Sequence, residues 1–259
     1  MAKYQAGADA LNDLNKTNDS GSSMEFSPFK SGTTYIVKVL GVADLISFYS
    51  YGIFKKVNSF VAKNPSVKSA KGYPVENLTP FDKAWKYHAD KSKKFNDAHS
   101  QEANKYRAKQ RFALGFINLD TGEPIIVDLS KNQAKAVHDT IMKYKERLNQ
   151  FAFELSKTGS GTNTSVSLSL IPLLDDLTEE QRKNFENAPK EFDMSLFDGI
   201  LYEMDDEEQI EKLHEVGFDV TLIGFEPPKP KADEDEAKPI EGGPGSGPNG
   251  EILEEGLPF

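Results

Sequence analysis

The chain has 259 residues, a formal net charge of −10, no cysteine and four histidines. Without thiols there are no disulfides, no cysteine-ligated zinc and no cysteine nucleophile, and the scattered histidines form no H-E-x-x-H pairing that would announce a metal centre. No apolar run approaches the ~20 residues needed to span a membrane, and Met1–Tyr4 opens no signal-peptide hydrophobic region, so the chain reads as soluble and intracellular.

In chain order, residues 1–30 read as a polar arm and hinge, with order expected from Thr33. The β-branched Tyr35–Leu40 suits a strand, and Ile46–Tyr51 and Phe54–Val61 read as further strands broken at Gly52. Pro65, Gly72 and Pro74 mark Asn64–Asn77 as a loop. A helix then starts with Thr79 as cap, Pro80 at the first helical position and Asp82 in the first turn. Phe81, Trp85, His88 and Phe95 are expected on one stripe of that helix, facing a core. His88 and His99, eleven residues apart on the same helix, would share a face at a separation too large to hold one ion.

Arg111–Asn118 alternates, with Phe112, Leu114 and Phe116 on one side, and Asp120–Glu123 turns it into Ile125–Leu129, a hairpin. Val137, Ile141, Tyr144, Leu148, Phe151 and Leu155 recur at +4, +3, +4, +3, +4, which predicts one long helix. Thr158–Thr164 is a loop, and Ser165–Leu170 has the period of a strand. Thr178 with Gln181 forms a capping box. Short acidic helices follow to about Glu215, then a strand over Phe218–Phe225. From Pro227, Pro, Gly and acids dominate, a composition that predicts a disordered tail. The expected organisation is therefore an arm (1–30), a folded body (31–226) with an acidic helical extension (173–226), and a tail (227–259).

Charge is sorted along this order. Lys30–Arg111 carries 16 Lys+Arg against 6 Asp+Glu, a net of +10, whereas Leu173–Phe259 carries 7 against 25, a net of −18. In the basic part the cations interleave with aromatics, the two ingredients of a surface for unpaired nucleic acid: cations neutralise phosphates and flat rings stack on bases. The expected phosphate contacts are Lys55, Lys56, Lys83, Lys86, Lys91, Lys93, Lys94, Lys105, Arg107, Lys109 and Arg111. Tyr87, Tyr106, Phe112 and Phe116 are the stacking candidates, with Phe54, Phe60 and Tyr73 behind them. The carboxylate runs Asp175–Asp176 and Asp205–Glu208 read as solvated faces rather than a two-metal site. Gly159-Ser160-Gly161 lacks the Lys and helix of a phosphate loop. The C-terminal Leu257, Pro258 and Phe259, after an acidic spacer, read as a small anchor for partner pockets, and the tail's charge as a competitor for the basic groove.

On these residues the chain resembles phage replicative single-stranded DNA-binding proteins of the T4 helix-destabilising type, over roughly residues 31–215. Gly32–Leu40 and Gly52-Ile53-Phe54-Lys55-Lys56 are similar to the family's opening, and Tyr106–Ile117 to its basic-then-aromatic strand. Thr79-Pro80-Phe81-Asp82 is similar to its C-P-x-C knuckle, with Thr79 and Asp82 where the cysteines would stand, so no zinc and no other cofactor is expected. The basic N-terminal motif of that family is also absent. The Leu257-Pro258-Phe259 tip is similar to the Ile-Pro-Phe tip of bacterial single-stranded DNA-binding proteins. The resemblance implies an α+β chain built on an OB-fold β-barrel with inserted and appended helices. It further implies a non-enzymatic, single-stranded-DNA-binding role in replication, recombination or repair in the host cytoplasm, with polymerase, helicase or recombinase partners recruited by the tail. Two other classes stay open: a metal-dependent nucleic-acid enzyme, and an acidic adaptor or DNA mimic whose basic region docks its own acidic half.

Overall fold

The computed structural model describes residues 24–228. Most of the expected arm, and the acidic tail with Leu257, Pro258 and Phe259, lie outside the described residues. Within them the chain is α+β, with a large, mostly antiparallel sheet and several helices.

The strands are β1 (Thr34–Lys38), β2 (Leu45–Ile53), β3 (Val57–Ala62), β4 (Val67–Lys68), β5 (Pro74–Glu76), β6 (Lys109–Asn118), β7 (Pro124–Ser130), β8 (Ala152–Thr158), β9 (Ser165–Ile171) and β10 (Glu203–Met204). The α-helices are α1 (Pro80–Lys91), α2 (Ala98–Tyr106), α3 (Lys131–Lys143), α4 (Glu179–Asn187) and α5 (Asp206–Glu215). The strand β6 is the hub. It pairs along one edge with β7 and along the other with β2 and then β1, in successive registers. From β1 the sheet continues through β8 to β9, and from β2 through β3 to β10, the last pair being parallel. Among the described residues β7 and β9 do not pair, so the sheet stays unclosed.

Period-2 patterning sorts the two faces as expected. Leu114, Phe116, Val127, Leu129, Phe153, Leu155, Val166 and Leu168 point to one core, which Val137 and Ile141 of α3 cover. On the opposite face of β6 and β7, Ala113 and Ile126 are covered by Phe192, Phe197 and Ile200, on the segment that runs from α4 to β10. Gly115 lets this strap sit close, because a Cβ there would run into the Phe192 ring. The acidic extension is thus part of the folded body.

Five elements differ from expectation. The segment Asn64–Asn77, expected as a loop, carries the antiparallel β4–β5 ribbon. Residues 24–29 pack along β7, with Ser27 donating its N–H to the Ile126 carbonyl at 2.8 Å and Phe29 buried, so order begins before Thr33. The long helix stops at Lys143, and a kinked 3-10 segment at Lys145–Gln150 leads into β8. Phe151 and Leu155 fit a helical stripe, but with Phe153 between them they fit a period of 2 as well, and the unpaired edges of β1 and β9 supply backbone partners that an isolated helix end lacks. Phe218–Phe225 forms a 3-10 turn at Val220–Ile223 rather than a strand, with Asp219 accepting from the Thr221 N–H at 3.0 Å. The helix begun at Thr79 ends at Lys91.

Between β2 and β6 an insert carries β3 to β5, α1 and α2 around a second core of Tyr51, Phe60, Phe81 and Tyr106. Its keystone is Asp82, buried at the start of α1. Asp82 Oδ2 accepts from Tyr51 Oη at 2.7 Å, Ser66 Oγ at 2.5 Å and Lys68 Nζ at 2.8 Å. Burial, and then the adjacent Asp82 carboxylate, hold the Tyr51 hydroxyl far above the usual phenol range, so it remains a donor. Asp82 Oδ1 is buried without a partner among the described residues, which makes the contacts on Oδ2 the harder to spare.

Replacing one member of a buried ion pair leaves the other charge uncompensated, at a cost of about 3–5 kcal/mol. Lys68→Met is therefore expected to lower unfolding stability by several kcal/mol in urea titrations. A loss below about 1 kcal/mol, the range of surface pairs, would show that Lys68 does not compensate Asp82.

Candidate nucleic-acid interface

The basic and aromatic residues converge at the β2–β3 turn. Gly52 (φ +156°) marks an irregularity in the β2–β3 register, and the chain then turns over Ile53–Lys56, with the Lys56 N–H donating to the Ile53 carbonyl at 2.9 Å. Lys55 is left-handed at φ +61°. This geometry holds the Phe54 ring outside the protein at 88% exposure, with Lys55 Nζ 5.4 Å from its centroid.

Two adjoining clefts flank Phe54, with Gly52, Ile53 and Lys109 common to both. The larger, about 490 Å³, adds Lys56 and the Lys105 and Tyr106 end of α2. The smaller, about 290 Å³, adds Lys55, Asn58, Arg107 and Arg111. The hairpin, the end of α2 and the start of β6 thus bring six cations around one exposed ring. Arg111 is engaged with Asp128 at 2.6 Å and Lys105 with Glu102 at 2.5 Å. Lys55, Lys56, Arg107 and Lys109 have no ion pair among the described residues. Arg107 lies over Tyr73, 4.7 Å from its centroid, and Tyr73 stacks on Trp85 at 5.9 Å. At 40% exposure Tyr73 carries the aromatic surface onward from the smaller cleft.

The other expected contacts fall elsewhere, and the stacking assignments of Phe116, Tyr106 and Phe60 need correction. Phe116 is 1% exposed in the core under α3. Tyr106 is 6% exposed: it lines the larger cleft, but its ring is flanked by His88, Phe81 and Phe218 and offers no open face. Phe112 points to the α3 side, where it lines a separate apolar pocket with Leu45 and Ala134. Phe60, held in reserve as a stacking ring, is buried. Tyr87 meets Phe218 edge-on and lies under Lys91, whose Nζ is 3.8 Å from its centroid. Lys83 lies over Phe225, and Lys86 pairs with Asp90 on an exposed face. Lys91, Lys93 and Lys94 cluster at the far end of the α1–α2 hairpin.

That hairpin also corrects the histidines. The helix break lets α2 fold back on α1, and His88 Nδ1 meets His99 Nδ1 at 3.1 Å. The sequence pattern keeps the two residues apart along one helix, whereas the turn at Ser92–Asp97 brings the rings together. Its signal was legible: Asn96-Asp97 is a turn pair, and Asp97 caps α2 through the Ser100 N–H at 2.8 Å. Phe54, ranked behind other rings, had a similar signal in Gly52 before it and Lys55-Lys56 after it, which mark a hairpin tip rather than a strand.

Burial lowers the His88 pKa first, and the neighbouring His99 lowers it further, while Glu102 opposes the shift. The unfolded chain then binds more protons than the folded one below the ordinary histidine value of about 6.5. His88 therefore contributes stability that is complete above that pH and is lost as the pH falls through the folded value. Thermal unfolding midpoints should drop between pH 7 and pH 5, and the drop should be smaller in His88→Gln. Equal drops in the two proteins would rule out the pair as their source.

No protein-family model, curated protein or solved structure matches this chain, so the argument for function rests on the site itself.

Proposed function

We propose that the protein binds single-stranded DNA non-enzymatically, serving phage replication, recombination or repair as the family resemblance implies. The observation that carries this reading is the Phe54 tip: one fully presented ring among cations from three elements, flanked by open clefts. Bases supply faces for the ring and the backbone supplies phosphates for the cations.

The connectivity supports an OB-type reading. The strands β1 and β2 lie along the same edge of β6, β6 and β7 form a hairpin, α3 follows, and β8–β9 returns to β1. OB folds are five-stranded, partly open barrels that take oligonucleotides on strands 2–3 and on the loop between strands 1 and 2. The insert with Phe54 stands at that loop. Since the strap fills the Gly115 face of β6 and β7, we assign the strand to the insert side. We assign partner recruitment to Leu257, Pro258 and Phe259 on their sequence alone.

One observation favours a second reading. Residues 173–226 carry 4 basic and 17 acidic residues, and part of this segment covers a face of the central sheet, as an acidic adaptor docking on its own body would. A protein ending at residue 228 that binds no oligonucleotide at low salt supports that reading instead.

Stacking contributes about 1–3 kcal/mol per base, so Phe54→Ala should weaken oligo-dT binding roughly 5- to 150-fold at a tenfold change per 1.4 kcal/mol. Lys56→Gln with Lys109→Gln should reduce the slope of log affinity against log salt by about 1.4, at about 0.7 per lost phosphate contact. Unchanged affinity and slope in both variants would remove the clefts from the binding surface.

A further inference from the structure

We propose that the tip of the α1–α2 hairpin is a second stacking subsite for single-stranded nucleic acid, with Phe95 as its platform and Lys93 and Lys94 as its phosphate contacts. This inference rests on the reading above and extends its footprint.

Phe95 is fully exposed, at 101%. A single exposed apolar residue needs no explanation, but this one stands in a constructed setting. The loop carrying it is clamped from within: Asp97 accepts from the backbone N–H groups of Lys93 at 2.8 Å, Lys94 at 3.1 Å and Ser100 at 2.8 Å, and from Ser92 Oγ at 3.0 Å. Asn96, at φ +62°, turns the chain immediately after the ring. Below the loop, the His88–His99 contact joins the two helices. The ring is thus held out by its backbone instead of being left out by a shortage of core.

The arrangement repeats the Phe54 tip. Each is a tight turn with a neighbouring residue in the left-handed region, an almost fully exposed phenyl ring and two adjacent lysines. Lys93 and Lys94, like Lys55 and Lys56, have no ion pair among the described residues, and Lys91 adds a third cation nearby. Two copies of one chemistry favour one ligand class, a polyanion with repeated flat faces. The nine-residue α2 joins them, with Lys105 and Arg107 at one end and the Phe95 loop at the other, about 13 Å apart at 1.5 Å per residue. A strand that leaves the Phe54 clefts along α2 reaches Phe95 only when it is long enough.

The test compares oligonucleotide lengths. Wild type, Phe54→Ala and Phe95→Ala are titrated with dT6 and dT20 by fluorescence anisotropy, with phosphatidylserine vesicles as a separate probe. The ring is fully exposed, so Phe95→Ala should not disturb folding. The expected result is that Phe95→Ala weakens dT20 binding at least fivefold and leaves dT6 binding unchanged, while Phe54→Ala weakens both. Phe95→Tyr should restore dT20 binding, and Lys93→Gln with Lys94→Gln should reduce its salt slope by about 1.4. The subsite alone is overturned if Phe95→Ala binds dT20 like wild type while Phe54→Ala does not. It is equally overturned if Phe95→Ala loses vesicle binding and keeps dT20 binding, which marks a membrane contact. Failure of wild type to bind either oligonucleotide overturns the parent reading and the subsite with it.

Discussion

Asp82 is a carboxylate in the interior of a basic insert, and the insert's arrangement depends on how that charge is held. A buried carboxylate is tolerated only when it is paired and hydrogen-bonded. Here the donors come from three separate pieces of chain: Tyr51 from β2, Ser66 from the loop before β4, and Lys68 from β4. The same carboxylate sits in the first turn of α1, where its own N–H is capped by Thr79 Oγ1 at 3.1 Å, and Thr79 Oγ1 lies within 3.3 Å of Tyr51 Oη. One charge therefore sets the end of β2, the β4–β5 ribbon and the start of α1 against one another. Tyr51 immediately precedes the Gly52 irregularity that projects Phe54, and the ribbon carries Tyr73. The exposed chemistry of the clefts is held from beneath by a network that reaches it at Tyr51, which lines the smaller cleft, as the rigid recognition surface proposed above would require.

The sorted charge takes on a different meaning once the fold is known. In the linear chain, the basic and acidic parts look like two modules. In three dimensions they interlock. The parallel β10–β3 pair joins the acidic extension to the insert, Met204, Leu213 and Phe218 share its core with Phe81, and Lys83 lies over Phe225. The strap closes one face of β6 and β7 with apolar side chains, while Glu191, Asp193 and Asp198 remain exposed on its outside. An anionic ligand meets repulsion there and attraction at the Phe54 clefts. On the proposed function, folded negative charge of this kind would direct a polyanion toward the clefts.

Local patterning in the sequence carried β1, β2, β3, β6, β7 and β9, the starts of α1 and α4, and the β6–β7 hairpin, because each is governed by residues close in the chain. The Thr178–Gln181 capping box forms as expected, with both reciprocal hydrogen bonds, at 2.9 and 3.2 Å. What was illegible is what depends on distant partners. Whether Phe151 and Leu155 continue a helix or enter a strand is decided by the edges of β1 and β9. Whether Tyr106 stacks on a ligand or fills a core is decided by Phe218, more than a hundred residues away. Interleaving with charge did not identify exposed rings: Tyr106 stands between Lys105 and Arg107 and is buried. Turn chemistry was the better guide, since Gly52 and the Asn96-Asp97 pair flank Phe54 and Phe95, the two most exposed rings among the described residues.

Exposed aromatic surface arises on a folded body where the backbone denies a ring its neighbours. A ring on a strand or helix of a folded body has a neighbour at period 2 or at three to four residues, and burial against that neighbour is favourable, so Phe116 and Tyr106 are drawn inward. A ring at the apex of a tight turn has no same-face neighbour on either side. There the left-handed residue next to it, Lys55 or Asn96, turns the backbone away before a second apolar side chain can cover it. Lysines beside such an apex keep it hydrated and discourage association of the exposed faces with each other. A chain that must offer flat apolar surface to a charged ligand and still stay dispersed can place that surface on turns, supported by buried polar clamps such as Asp82 and Asp97, and leave the sheet to hold the turns in register.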